Sequence, residues 1–302
     1  MTIDLTRLPA PSIIEALDYE GLQAAFVARF IAHWEIERGR DPDLPLYNVE
    51  SLETDDMIIA SQAWSTLRLL DRTRVNDAVR AVLAPLAKRA DLDNVVARVG
   101  IERLVITPAT DRTPAVMESD ERLLARYLLA MTRPAAGSAD RYILEAMTAW
   151  PQLHHAAVIG HKIHGRRGDV DLVIAGPEGR NATDAEMALV RAAAGADSVV
   201  PEATSLYLLR AVRREYDVRG CIVVPVGPDA EAVRQEAVSR IVAATAVRLL
   251  IGAEVPHALI SGAAYGLSVT RFDLSEPVAD IPADPYTIPV CRSVSLEVEV
   301  RP

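Results

Sequence analysis

Lysine is almost missing. Of the 32 basic residues only Lys88 and Lys162 are lysines, and the rest are arginines. A reaction that needs a lysine, whether as a Schiff base or in a phosphate-cradling loop, has two candidates, and neither precedes Ser or Thr in the way a nucleotide loop requires. Cysteine is equally scarce: Cys221 and Cys291 stand alone, which excludes a disulfide scaffold and a paired-cysteine zinc or redox site and fits a reducing compartment. Also missing are a GxSxG elbow, a GxGxxG turn after a strand, an HRD loop and an HExxH pair. The most apolar stretch, residues 241–266, is broken by Arg248, Glu254, Pro256 and His257, so a bilayer span is not expected. The N-terminal MTIDLTRLPAPS has an acid and two prolines where a secretory signal needs a basic start and an apolar run. These absences describe a soluble protein made in a cytoplasm, with no membrane contact and no cofactor.

What is present is a chain of 302 residues, half apolar and a quarter charged, with a net charge of −10. It can bury more than one core, and its charge repels phosphate backbones, so no direct nucleic-acid contact is expected. Helices come first: one from about Asp18 to Arg38, then a nearly unbroken stretch from Val49 to Lys88. In the second, Met57, Ala60, Trp64 and Leu67 recur at alternating three and four spacing. That phase puts Asp71 and Arg74 on the seam, and Val75, Ala78 and Val82 resume it through a four-residue stutter. A small domain alone does not cover so long a seam, which leaves a long helix inside an all-α domain or, as the reading taken, a bundle formed with other chains, with Met57, Trp64, Leu67 and Val75 as its candidate interface residues. Beyond residue 89, strands and shorter helices alternate, including AAVIGHKI, DVDLVIA, runs at 204–212 and 214–226, GLSVTRF and VSLEVEV. The fold expected is α+β: long N-terminal helices followed by mixed α/β domains with small sheets, divided at 1–88, 89–135, 136–212 and 213–302.

Two clusters carry reactive side chains. His154, His155, His161 and His164 fall within eleven residues, but without the spacing of a zinc site they read as an interface-type patch. Asp169 and Asp171, two apart on a strand, share a face and could hold divalent metal for phosphoryl or nucleotidyl transfer, the enzymatic alternative. The glycine–serine turn that such an enzyme needs just upstream is displaced to Gly137-Ser138. The alternative to a metal site is a pair of solvated acids on a hairpin, and the expectation is that the chain is not an enzyme and has no metal or catalytic residues.

Several segments together resemble one family. LPAPSIIEALDYEGL at 8–22, ADLDNVVARVGIERLVITPA at 90–109, PAVMESDERLLAR at 114–126 and the late EYDVRGCIVVPVGPDAEAVRQEAV are similar, in the same order, to the baseplate J-like proteins of contractile-tailed phages. The resemblance implies a structural role in the virion tail baseplate, assembled in the bacterial host cytoplasm. It implies wedges in which a second copy of the chain and a different wedge chain share a helical core bundle, and C-terminal parts that meet to close a ring around the hub. Sheath-initiator and tail-fibre-connecting proteins are the further partners it implies.

Overall fold

The computed structural model describes residues 9, 11–48, 52–131 and 135–301. The chain clusters into two units, Met1–Glu102 and Arg103–Pro302, and its architecture is α+β, helices first and small sheets after.

The first unit is helical. α1 (Tyr19–Arg40) starts where the Asp18 carboxylate accepts the N–H of Gly21 at 2.9 Å, leaving fewer orphan donors in the first turn. α2 (Asp56–Val82) starts in the same way, Asp55 accepting the N–H of Met57 at 3.0 Å. The sequence suggested a helix from Val49 to Lys88. The observed one is shorter because Asp55 caps its start and the chain turns at Leu83, ahead of Pro85; residues 49–51 lie outside those described. At 27 residues α2 spans about 40 Å. Glu15 meets Arg72 and Phe26 meets Trp64, so the segment carrying α1 runs antiparallel to α2. α3 (Ala90–Val96) passes into a tight turn that ends on Gly100, at φ +76°, the left-handed stop expected of a glycine there.

The second unit opens with a two-stranded hairpin, β1 (Val105–Thr107) and β2 (Val116–Met117), and then α4 (Asp120–Met131) and α5 (Ala139–Ala149). Glu118 is buried between them. Its Oε2 accepts from Arg126 at 2.7 Å and from the N–H of Leu104 at 3.1 Å. Arg122 reaches over to the end of α5 and donates to the carbonyls of Leu153, Met147 and Trp150, where the helix leaves its last acceptors free.

β3 (His155–Ile159), β4 (Asp169–Ala175) and β5 (Ser205–Arg210) form a sheet in the order β3-β4-β5, antiparallel and then parallel. The expected strand AAVIGHKI ends at Ile159. After Gly160, residues His161–His164 form the one-turn helix α6, so two of the four histidines leave the strand. α7 (Asp184–Ala194) is capped by Thr183 and Glu186 reciprocally. The Arg180 guanidinium, followed by these cap bonds, holds the Glu186 carboxyl down at about 2. Alternate residues of β4 serve two cores. Leu172 and Ile174 pack with Tyr142, Trp150 and Val190 from α5 and α7, while Val173 and Ala175 pack with Ala211, Ile251, Ile288 and Val290. Burial on both faces explains why this strand reads as a continuous apolar run.

β6 (Val212–Pro225) follows β5 after the single residue Ala211. The expected break at the charged Arg213 falls instead at a buried alanine, where the ribbon changes partners. The Ala211 N–H donates to Ile174 of β4, and the next N–H, that of Val212, donates to Tyr286 on the opposite edge. α8 (Ala230–Ala246) and α9 (His257–Ala264) then cover one face of a second sheet, ordered β7-β6-β8, around Ile222, Val224, Ala237, Ile241, Ile260 and Phe272. β7 (Arg271–Glu276) begins later than GLSVTRF suggests. β8 (Thr287–Arg301) begins seven residues before VSLEVEV and pairs in parallel with the whole of β6. Gly179 sits at φ +69° where a Cβ would lie 2.9 Å from Val290, so the turn after β4 packs against β8 only because that side chain is missing.

Candidate assembly interface

The helical pair buries little of what is apolar in it. Across α1 and α2 the fully buried apolar side chains are Leu22 and Ile58; the other buried residues of α2 are Ser61, Ser65 and Asn76. Small polar groups inside a helix pair must be satisfied locally, and they are. Ser61 Oγ donates to Ile58 O at 2.6 Å and Ser65 Oγ to Ser61 O at 2.7 Å. Asn76 makes two bonds with the backbone of Glu15, at 3.1 and 2.8 Å. The small serines allow close approach but contribute almost no apolar burial.

The large apolar residues lie on the other side. Of the seam residues, Leu67 is 63% exposed, Val75 54% and Trp64 39%; Met57 is half-buried. Trp64 is partly covered by its own chain, its ring 5.2 Å from that of Phe26, so it is less bare than its heptad position suggests. Ile59 and Leu70 are also exposed, beside the seam rather than on it. The heptad reading missed them, although Ile59, Ala63 and Leu70 repeat at helical spacing. Two open grooves flank the pair. One, of 450 Å³, is lined by Ala25, Phe26, Arg29, Phe30, His33 and Trp64. The other, of 690 Å³, runs along Val27, Ile31 and Ile58. A cluster of Phe30, Trp34 and Tyr47 closes the connecting loop, with Trp34 donating to Pro45 O and Tyr47 to Asp55.

The two reactive clusters of the second unit have structural partners. Asp169 and Asp171 do share a face of β4, and Arg166 lies between them, 3.0 Å from Asp169 and 2.5 Å from Asp171. The second oxygen of Asp171 accepts from the Tyr286 hydroxyl at 2.6 Å. The picture of two solvated acids is therefore wrong for Asp171, which is 1% exposed and fully engaged. Its charge is neutralised by an arginine, and both its oxygens already accept hydrogen bonds. The histidines do not converge. His154 Nε2 bonds Leu249 O at 2.7 Å and His155 Nδ1 accepts the N–H of Ile251 at 3.1 Å. His164 Nδ1 accepts from Arg166. Among the described residues no three His, Cys, Asp or Glu side chains are grouped as a metal site would require, and no helix is long and apolar enough to cross a membrane.

Comparison with known proteins identifies the family of the chain. Residues 53–110, which include α2, match the Baseplate J-like N-terminal domain. Over 295 residues, 92% of this chain and 92% of the relative, the sequence is 30% identical to baseplate protein J of Escherichia phage P2. The exposed seam thus lies inside the matched domain, and the likeness runs through both units: the chain belongs to the baseplate J-like family.

Proposed function

We propose that this chain, a structural component of the phage tail baseplate by its family, is a wedge subunit whose α1–α2 pair enters a helical core bundle with a second copy of itself and a different wedge chain. One observation carries the reading. Two helices of 22 and 27 residues fully bury two apolar side chains and leave Leu67, Leu70 and Val75 exposed, with Trp64 only partly covered by Phe26. Burying Leu22 and Ile58 contributes about 1.5–3 kcal/mol each, and the exposed side chains of α2 add little while no other chain covers them. Further helices laid in the two flanking grooves would supply the missing burial, as in four-helix packing.

In this scheme Met57, Trp64, Leu67 and Val75 face the partner helices. Residues 1–88 form the bundle segment, 89–135 a connection, 136–212 a middle domain and 213–302 the part that makes ring contacts around the hub. Sheath-initiator and tail-fibre-connecting proteins dock on the assembled ring, which forms in the host cytoplasm and transmits the contraction trigger. The engaged carboxylates of Asp169 and Asp171 favour this non-enzymatic role. Limited proteolysis tests it. Co-expression with the neighbouring wedge chain is expected to protect residues 50–85 from cleavage that occurs in the chain alone, and equal protection in both preparations would count against the bundle.

A further inference from the structure

β8 is a 15-residue strand at the edge of its sheet, with β6 on one side and no strand on the other among the described residues. The hydrogen-bonding groups of its free edge can be assigned. On β6 the Val212 N–H points to β8 and the Val223 carbonyl, bonded by Thr270, points to β7. Even-numbered residues of β6 therefore serve β8, since backbone groups alternate between the two edges of a strand. With the bulge at Arg292, which shifts the register from Tyr216↔Cys291 to Asp217↔Ser293, the β8 residues that reciprocate are Ser293, Ser295, Glu297 and Glu299. The N–H and C=O groups of Val294, Leu296, Val298 and Val300 face outward. Beside the first part of this edge runs a 570 Å³ groove whose apolar wall includes Val242, Ala246, Leu249 and Val294. Val242 is 49% exposed there.

The solvent face of the same strand is acidic. Glu299 pairs with Arg301, but Glu297 has no ion pair among the described residues. On the adjoining strand the Cys221 thiol is pushed up by its burial and then by Glu299, Glu297 and Asp273. A second β8 is a poor occupant: laid antiparallel and centred near residue 297, it would set Glu297 against Glu297 or Glu299, and like charges in facing positions destabilise a pair.

We propose that the outer edge of β8 is a strand-addition site for an extended segment of a different baseplate chain. That segment is apolar at alternate positions, which lie along the α8 side, and carries lysine, arginine or threonine at the positions between, beside Glu297 and Glu299. Main-chain bonds to Val294, Leu296, Val298 and Val300 give affinity, and the groove and the carboxylates select the side chains. The site is independent of the helical surface in the first unit.

The test uses the full-length chain and a short labelled peptide in which valine alternates with lysine and threonine. Binding is expected to slow amide exchange at Val294, Leu296, Val298 and Val300, while Ser295, Glu297 and Glu299, already bonded to β6, change little. Val298→Pro and Val300→Pro each remove an outward N–H that no rung of the β6 ladder uses, and each is expected to weaken binding about tenfold or more with circular dichroism unchanged. Glu297→Lys with Glu299→Lys is expected to reverse the preference toward a peptide with glutamate in place of lysine. Absent binding, protection elsewhere, or equal affinity of the proline variants would overturn the proposal. Concentration-dependent protection of the same amides without peptide would overturn the choice of partner, pointing to a second copy.

Discussion

At the scale of single residues, His155 shows most clearly how burial and bonding set a protonation state. Its Nδ1 accepts the Ile251 N–H, which requires an unprotonated nitrogen. Burial, and then the neighbouring His154, lowers its pKa below the usual histidine value of 6.5. A group with a depressed folded pKa stabilises the fold fully above the unfolded value and loses that contribution as pH falls through the folded one. We therefore expect the Arg103–Pro302 unit to lose stability to denaturant as pH is lowered from about 7.5 to 5.5, and His155→Gln to flatten that window. An unchanged pH slope in the variant would assign the effect elsewhere. Asp171 shows the opposite side of legibility. Its shared face with Asp169 follows from strand alternation, but its burial depends on Tyr286, 115 residues away, and no local pattern announces such a partner.

At the scale of elements, the inside-out character of α2 can be probed by contrast. Leu67→Asp and Val75→Asp alter exposed positions and are expected to change the stability of the isolated chain by less than about 0.5 kcal/mol while abolishing co-purification with the wedge partner. Ile58→Asp, on the buried side, is expected to cost about 3 kcal/mol or more because a charge would enter the contact with α1. Thermal unfolding and pull-down of the same three variants decide it. If Leu67→Asp unfolds the lone chain, the outer face is not free. The start of α1 was legible in the sequence, while that of α2 fell at Asp56 instead of Val49. Asp18, Ser138, Thr183 and Asp229 each cap a helix by accepting a backbone N–H two or three residues on, so the cause of the start is local. The strands were less legible. The early start of β8 depends on β6, remote in sequence, and the apolar run of β4 shows burial without saying by what. The exposure of Leu67 and Val75 follows the spacing, but the spacing does not show that Phe26 shelters Trp64 or that Ile59 and Leu70 are exposed beside them.

At the scale of the whole molecule, the division into Met1–Glu102 and Arg103–Pro302 separates a unit poor in buried apolar side chains from one with three apolar clusters. Stability is then expected to be uneven. Calorimetry of the lone chain should show a broad, weak transition from the helical unit below a cooperative one from the remainder, and the wedge partner should raise the first without moving the second. A single sharp transition would contradict this.

The run from Ser205 to Pro225, broken only at Ala211, has a mechanical meaning. It belongs to both sheets, so a pull on one reaches the other along covalent bonds over about 70 Å of extended chain. β6 and β8 share fourteen parallel rungs. A load along the strands shears all of them at once instead of peeling them in turn. A part built this way is stiff under tension along its strands, and the two sheets respond to a load as one body.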